Sequence, residues 1–537
     1  MKKPLLPALL LSAAVGGAAL WHFTRLPLHE KGKKLLEQGD VTGAVELFRR
    51  ALEEKTWAPP VEREIRNELS RAYLLKGAVD NAEEEFQKTL ERFPENAYAH
   101  IGMGFLQLAK GFDNFALESF QKAKAADPDD LRASLGLASL YAYRGELPAA
   151  RKEYDELVAR APENRAIREG SGDVFFGEGL FNEAAAEYER ALADLPENST
   201  TRLAAARALL AAGRCDAAEE LTRRLVAGSP RASAARLLLA DIYRDTGRFA
   251  DAGPVYQALL SEDQRNVFAL LRDAEWQARR DDFETAKRRL DQAAQVMPKP
   301  GEAPVSFASL AEIEDFLEVR SYLRQAAVET GLAWSKFYAY QGHYADAERE
   351  ALRALQLFQK HLAALRWMAE LQRIRGDGPK RLEWIRRARG FFPRHALLLS
   401  DEAEALLALK KIAEARPPAE EARRSCPTLP RAAAVLAQAR LAEGKISEAA
   451  SAAAEAVALG PRDAQAHLAM ALVLRSQKKY AEAETALRRS LELDPYNARA
   501  HDERAQVLSL LKKPTDSVIA GREAARLEPT TYPLRKN

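Results

Sequence analysis

The chain has 537 residues, with 80 Lys and Arg against 78 Asp and Glu and a formal net charge of +2. So balanced a surface creates no net field toward nucleic acid, and no nucleic-acid partner is expected. Only two cysteines occur, Cys215 and Cys426, far apart in the sequence. That spacing argues against a disulfide and against a metal site with close ligands.

The first segment is unlike the rest. Lys2 and Lys3 precede the run LLPALLLSAAVGGAALW, and no Asp or Glu occurs before Glu30. A bilayer needs about 20 apolar residues, which is close to the uncharged length of residues 4–24. A secretory signal peptide has the same plan, with candidate cleavage positions around Gly17 to Ala19. Trp21 and Arg25 suit an interfacial flank. Residues 1–24 are therefore expected to form an N-terminal apolar helix, acting as signal-anchor or signal peptide, with the membrane as a partner through residues 4–24. The expected localisation is a single-pass protein of the bacterial inner membrane with its remainder in the periplasm. A cleaved signal would release it into the periplasm.

A repeat then begins. Residues 97–130 read AYAHIGMGFLQLAKGFDNFALESFQKAKAADPDD. Met103, Gly104 and Gln107 mark a first helix, Gly111 a turn, and Ala116, Phe120 and Ala123 a second helix. Pro128 ends the unit, because it has no N–H with which to continue a helix. Pro94, Pro128, Pro162, Pro196 and Pro230 recur every 34 residues, and Pro393, Pro427, Pro461, Pro495 and Pro529 form a second series at the same step. The alanine that opens the second helix keeps phase from Ala82 to Ala286, and the turn glycine from Gly77 to Gly247. One such helix pair cannot bury its own apolar face and needs neighbours.

This period and these residues resemble the tetratricopeptide repeat family. The resemblance implies an all-α fold, a right-handed α-solenoid of about 14 helix-turn-helix units with a concave inner wall. It also implies a binding role with no chemistry of its own. The expected organisation is a signal segment over 1–24, an array of about eight repeats over 25–300, an insert over 301–327, about six repeats over 328–531, and a tail over 532–537. The insert breaks the phase between Pro298 and Pro393. Leu310, Ile313, Leu317, Val319 and Leu323 give it an extra helical apolar face, fit to space two halves, to hinge them, or to lie in the groove. Pro254, Pro417 and Pro418 interrupt second helices and are expected to bend them. Val518, Ile519 and Leu527 in the last repeat are expected to be left partly uncovered, so a homo-oligomer through the uncapped C-terminal repeat is a candidate partner contact.

In the family, positions 2, 5, 9, 12 and 13 of the first helix face the groove. Carried onto this sequence, they give an early apolar patch of Tyr98, Ile101, Phe105, Tyr143 and Phe176. They then give a charged stretch with Arg207, Asp241, Arg244, Glu275 and Arg279, followed by Lys336, Tyr340, Arg366, Glu370, Arg373 and Arg475. The expected ligands are one or more proteins or peptide segments in the concave groove, an apolar stretch on the early patch and carboxylates on the later basic residues. No catalytic residue, cofactor or metal is expected. The eight histidines show no ligand spacing, and no Gly-rich phosphate loop follows a strand. The function expected is a non-catalytic interaction scaffold or adaptor, membrane-tethered, for an envelope assembly such as secretion, polysaccharide export or cytochrome maturation. The alternative is an accessory or regulatory subunit of a glycosyl-transfer or other modifying enzyme.

Overall fold

The computed structural model describes residues 27–54, 57–193, 198–229, 232–246, 248–297, 310–528 and 531–532. Among these there are 28 α-helices and no strand. Most helices pack on the next, and several first helices also pack on the first helix of the following pair. This is the nearest-neighbour burial that a helix-pair array requires. The chain divides into two compact units, Met1–Glu153 with Pro300–Ser321, and Tyr154–Lys299 with Tyr322–Asn537.

The helix boundaries follow from local chemistry. First helices start on Asn or Asp side chains that accept a backbone N–H: Asn96 from Ala99, Asn164 from Ile167, Asn266 from Ala269 and Asn497 from Ala500. Each such cap satisfies one otherwise unpaired amide of the first turn. Many first helices end on a glycine in the left-handed region, such as Gly111 at φ 81° and Gly444 at φ 79°. Four turns hold that conformation without glycine, at Asp281, Lys410, Lys478 and Lys512, with φ between 58° and 63°. A side chain there crowds the backbone. Lys478→Gly is therefore expected to stabilise the chain by about 0.5–1 kcal/mol, net of glycine's entropy, read as a raised midpoint in denaturant.

Large rings of the second helices fill the layers between pairs. In the first unit Phe48, Phe86 and Phe120 are fully buried. Glycines lie against them: a Cβ on Gly104 or Gly136 would come within 2.7 or 2.5 Å of the Phe120 ring. Tyr188 of the second unit sits on Gly172 in the same way, its hydroxyl donating to Asp173 at 2.6 Å. The helices Phe249–Glu262 and Ile412–Ser425 continue through Pro254 and through Pro417 and Pro418. One helix of 31 residues spans Leu310–Tyr340. Val518 and Ile519 of the last pair are 39% and 56% exposed.

The apolar run of residues 1–24, residues 301–309, the side chains of 310–323, and Pro196, Pro230, Pro298 and Pro529 lie outside what is described. The single-pass inner-membrane localisation is corrected: no helix among the described residues is long and apolar enough to cross a membrane. The longest, Leu310–Tyr340, carries Glu312, Glu314, Asp315, Glu318, Arg320, Arg324, Glu329 and Lys336. Each of these charges would have to leave water, at a cost of about 2.5 kcal/mol or more near a bilayer centre.

Candidate functional site

The expected groove residues divide between the two units. Tyr98, Ile101, Phe105 and Tyr143 belong to the first and Phe176 to the second. Ile101 and Phe105 are 0% and 3% exposed, and the Phe105 ring meets Phe120 edge-on at 5.0 Å. They are core residues and offer no surface to a ligand. The position rule presumes a first helix with one wet face, whereas Ala97–Ala109 also buries Met103, Leu106 and Leu108. Tyr98 and Tyr143 are half-buried against the same core. The Arg132 guanidinium lies over the Tyr98 ring at 5.4 Å, and burial raises the phenol's pKa.

In the second unit the first helices enclose a cavity of about 1640 Å³. Phe176, Arg207, Arg244, Arg279 and Arg366 line it. A second cavity of about 720 Å³ is lined by Arg279, Lys336, Tyr340, Arg366 and Arg373. The structure thus brings the later expected residues onto adjoining walls, except Arg475, which lines neither cavity.

Most of these cations already hold carboxylates of the same chain. Arg244 lies 3.0 Å from Asp241, which also accepts from the Tyr256 hydroxyl at 2.9 Å. Glu275 accepts from Lys336 at 2.9 Å and pairs with Arg279 at 3.4 Å, and Arg279 Nε donates to the Tyr340 hydroxyl at 3.1 Å. Arg366 and Arg431 both donate to Asp401 at 2.8 Å. Arg373 bridges Glu370 and Glu528 at 2.8 and 2.7 Å, and Arg475 pairs with Glu503. Burial alone would raise Glu275, Glu370 and Asp401, but the neighbouring cations outweigh it, whereas at Glu503 burial prevails and the pKa is raised. Lys336, Arg279 and Arg244 hold Glu275 well below the usual carboxylate range, and Arg373 takes Glu370 down to about 2. Glu275, Glu370 and Asp401 are therefore ionised near neutral pH.

Arg207, Arg214 and Arg265 also line the large cavity, and none has a side-chain ion pair or hydrogen bond among the described residues. Sequence reasoning named Arg207 and passed over the other two, which sit in a turn and a loop rather than at a first-helix wall position. It also passed over Asp241's partner Arg272 and over Asp401, Glu404 and Arg431. Glu404 and Arg431 occupy wall positions 9 and 2 of their repeats and were legible by the same rule. Arg272 and Asp401 stand at position 6, which the rule omits.

Cys215 borders the cavity, and burial, with Asp463, Asp245 and Asp216 nearby, pushes its thiol up to about 11. The thiolate is the reactive form. Alkylation of Cys215 at pH 8 is therefore expected to run at least about tenfold slower than in urea, followed by mass spectrometry of the labelled peptide. Among the described residues no group of three or more His, Cys, Asp or Glu is placed to hold a metal ion.

A family model described as tetratricopeptide repeat matches residues 29–101, 116–164, 135–199, 203–267 and 435–498, together more than half of the chain. No curated protein matches the sequence. Among solved structures, the APC/C hetero-tetramer Cut9–Hcn1 aligns over 94% of this chain and 93% of that chain, at 15% identity and a TM-score of 0.50. A tetratricopeptide repeat protein from Parabacteroides merdae covers 55% of this chain and 97% of its own, at 18% identity and a TM-score of 0.35. Yeast Tom70 covers 94% and 93%, at 13% identity and a TM-score of 0.34. At these identities the likeness to Cut9–Hcn1 is one of fold alone.

Proposed function

The chain belongs to the tetratricopeptide repeat family, and from that premise we propose that it is a non-catalytic protein-interaction scaffold that holds a partner segment against the arginine-lined cavity of its second unit. The observation that carries this reading is the convergence of Arg207, Arg244, Arg279 and Arg366 on one cavity with Phe176 at its edge. Stacked first helices create such a wall, and rigid elements can present fixed donors to an extended chain. Ion pairs within the wall hold Arg244, Arg279 and Arg366 in place, so a ligand meets pre-oriented donors at low entropic cost. In the first unit the early patch keeps only Tyr98 and Tyr143 as half-exposed candidates. The finer reading, support of an envelope assembly or of a glycosyl-transfer enzyme, rests on the sequence layout alone, and the apolar run behind it lies outside the described residues.

A photo-crosslinking residue placed at Leu237 or Phe268, both in the cavity, tests the scaffold reading in cells, with Leu357 on an exposed outer surface as control. A defined partner crosslinked from the cavity positions, absent from Leu357 and lost on Arg207→Glu, is the expected result. Crosslinks that are equal at all three positions, or unchanged by Arg207→Glu, would remove the cavity as the binding wall.

A further inference from the structure

Within the second unit the array touches itself across more than 200 residues of sequence. Asn182 Nδ2 donates to the Thr428 hydroxyl at 2.9 Å, and that hydroxyl donates to the Ala212 carbonyl at 3.1 Å. Phe181, Ala212, Leu399, Cys426 and Leu429 share one buried apolar cluster. The Phe181 ring meets His395 edge-on at 5.3 Å. At the rim Arg462 pairs with Asp216 and Glu219, each at 3.3 Å. Both ring nitrogens of His395 are buried here without a hydrogen-bond partner, but the apolar centre, the Asn182–Thr428–Ala212 hydrogen bonds and the ionic rim are the parts of a specific interface.

Two turn glycines show that the contact is written into the chain. Gly39, Gly77, Gly342 and Gly444 hold a left-handed φ with nothing within 4 Å of where a Cβ would stand. Gly179 and Gly213 hold the same φ of 80°, but a Cβ on them would fall under 3.0 Å from His395 and from Pro430. At these two turns glycine permits close approach of the facing turn as well as the backbone conformation.

The seam also bounds the large cavity. Gly213, Arg214 and Asp216 line it from one side, and Pro430, Arg431 and Arg462 from the other. The whole lining contains nine arginines, six carboxylates and no lysine. Three of the arginines, Arg207, Arg214 and Arg265, pair with no carboxylate among the described residues. Glu275, Asp401 and Glu219 stand just outside this lining and hold Arg279, Arg366 and Arg462, so it is the unpaired guanidiniums that draw anions into the walled cavity, and their forks suit oxyanions presented two oxygens at a time. We infer that the cavity is an oxyanion site completed when the chain closes along this seam, and that its ligand is an acidic peptide segment whose binding and seam closure reinforce each other. This rests on the scaffold reading and adds the ligand's chemistry and the closure. A ligand held from both sides binds the closed form better, so it must shift the seam toward closed, and an opened seam must release it.

The test uses the full chain and a fluorescent hexaglutamate peptide. Gly213→Asn and Thr428→Val disturb the seam without changing charge, and the second leaves the fold intact if the first does not. Gly444→Asn, at an open turn outside the cavity, is the control. In the unaltered chain the peptide is expected to slow hydrogen exchange in residues 179–183 and 426–432. Both seam variants are expected to raise that exchange and to weaken the peptide by about fivefold or more, with Gly444→Asn unchanged. Raised seam exchange with unchanged peptide affinity would overturn the coupling. Protection of the seam by inorganic tripolyphosphate with none by hexaglutamate would overturn the peptide assignment. Loss of both effects while cavity crosslinks to a partner persist would sink this inference and leave the scaffold reading standing.

Discussion

Phe120→Ala is expected to cost about 3–5 kcal/mol, the usual range for emptying a fully buried aromatic site. Phe120 is 0% exposed and sits between the first helices of two consecutive repeats, against Gly104 on one and Gly136 on the other. Those glycines have no side chains with which to fill the space. The helices could close on the void only by shifting as rigid bodies, and packing against Phe105 and Leu137 in the same cluster opposes that shift. The cavity term should therefore stay near the upper end. In a helix-pair array the damage remains local, because each pair leans on its neighbours. Hydrogen exchange over residues 97–143 is expected to accelerate by about two orders of magnitude or more, while the last pairs, 464–527, keep wild-type rates. Gly136→Ala tests the same contact from the other side. Its Cβ would stand 2.5 Å from the ring, so it should cost about 1–3 kcal/mol by overpacking. Combining it with Phe120→Leu should restore part of the loss, since the added methyl then meets a smaller partner. Wild-type exchange in Phe120→Ala would mean that the ring does not fill this layer.

That contact was legible in the sequence, and its legibility has a physical basis. Phe120, Ala116 and Gly104 recur in phase because every pair must solve the same packing problem with the same spacing. The caps Asn96, Asn266 and Asn497 keep the same phase, since each meets the need of a first turn for an acceptor, but they were not singled out from the sequence. The site was less readable. A rule about helix positions says which way a side chain starts, and it does not say what else is packed there. It placed Ile101 and Phe105 on the wall, although their helix is apolar on almost every face and is embedded. It named Arg244, Arg279 and Arg366 as cations awaiting a ligand's carboxylates, while Asp241, Glu275 and Asp401 already hold them. The seam had no sequence signal, because Asn182 and Thr428 are brought together by the accumulated rotation of many pairs and not by any local pattern. The membrane expectation came from residues 1–24 alone, and no described helix carries it.

Asp401→Ala is expected to be the most damaging change in the second unit, at about 3 kcal/mol or more. Asp401 is 7% exposed and accepts from Arg366 and Arg431 at 2.8 Å each. Removing it leaves two cations facing each other with one fewer anion between them. Arg431 retains Glu404 at 3.0 Å, whereas no other carboxylate pairs with Arg366 among the described residues. The loss should thus fall hardest on Leu362–Ile374, where hydrogen exchange reports it. If the penalty comes from stranded charge and not from lost shape, removing the cations as well should relieve it. Asp401→Ala with Arg366→Met and Arg431→Met is therefore expected to recover more than half of the single variant's loss, although all three polar partners are gone. The same carboxylate fixes a pH dependence. Burial would raise its pKa, but Arg366 and Arg431 hold it far below the usual carboxylate range. A carboxyl depressed in the folded state binds protons more readily when unfolded, so its contribution is complete above the unfolded pKa of about 4 and fades as pH falls below it. Glu370, held down to about 2 by Arg373, acts in the same direction. Thermal midpoints should be nearly flat in this respect from about pH 5 to 8 and should fall steeply below about pH 4. The Asp401→Ala chain should show a shallower acid slope, because one of the groups that would take up a proton on unfolding is gone. An acid limb as steep as that of the unaltered chain would place the depressed carboxylates elsewhere and remove Asp401 as the anion that holds the arginines of the wall in position.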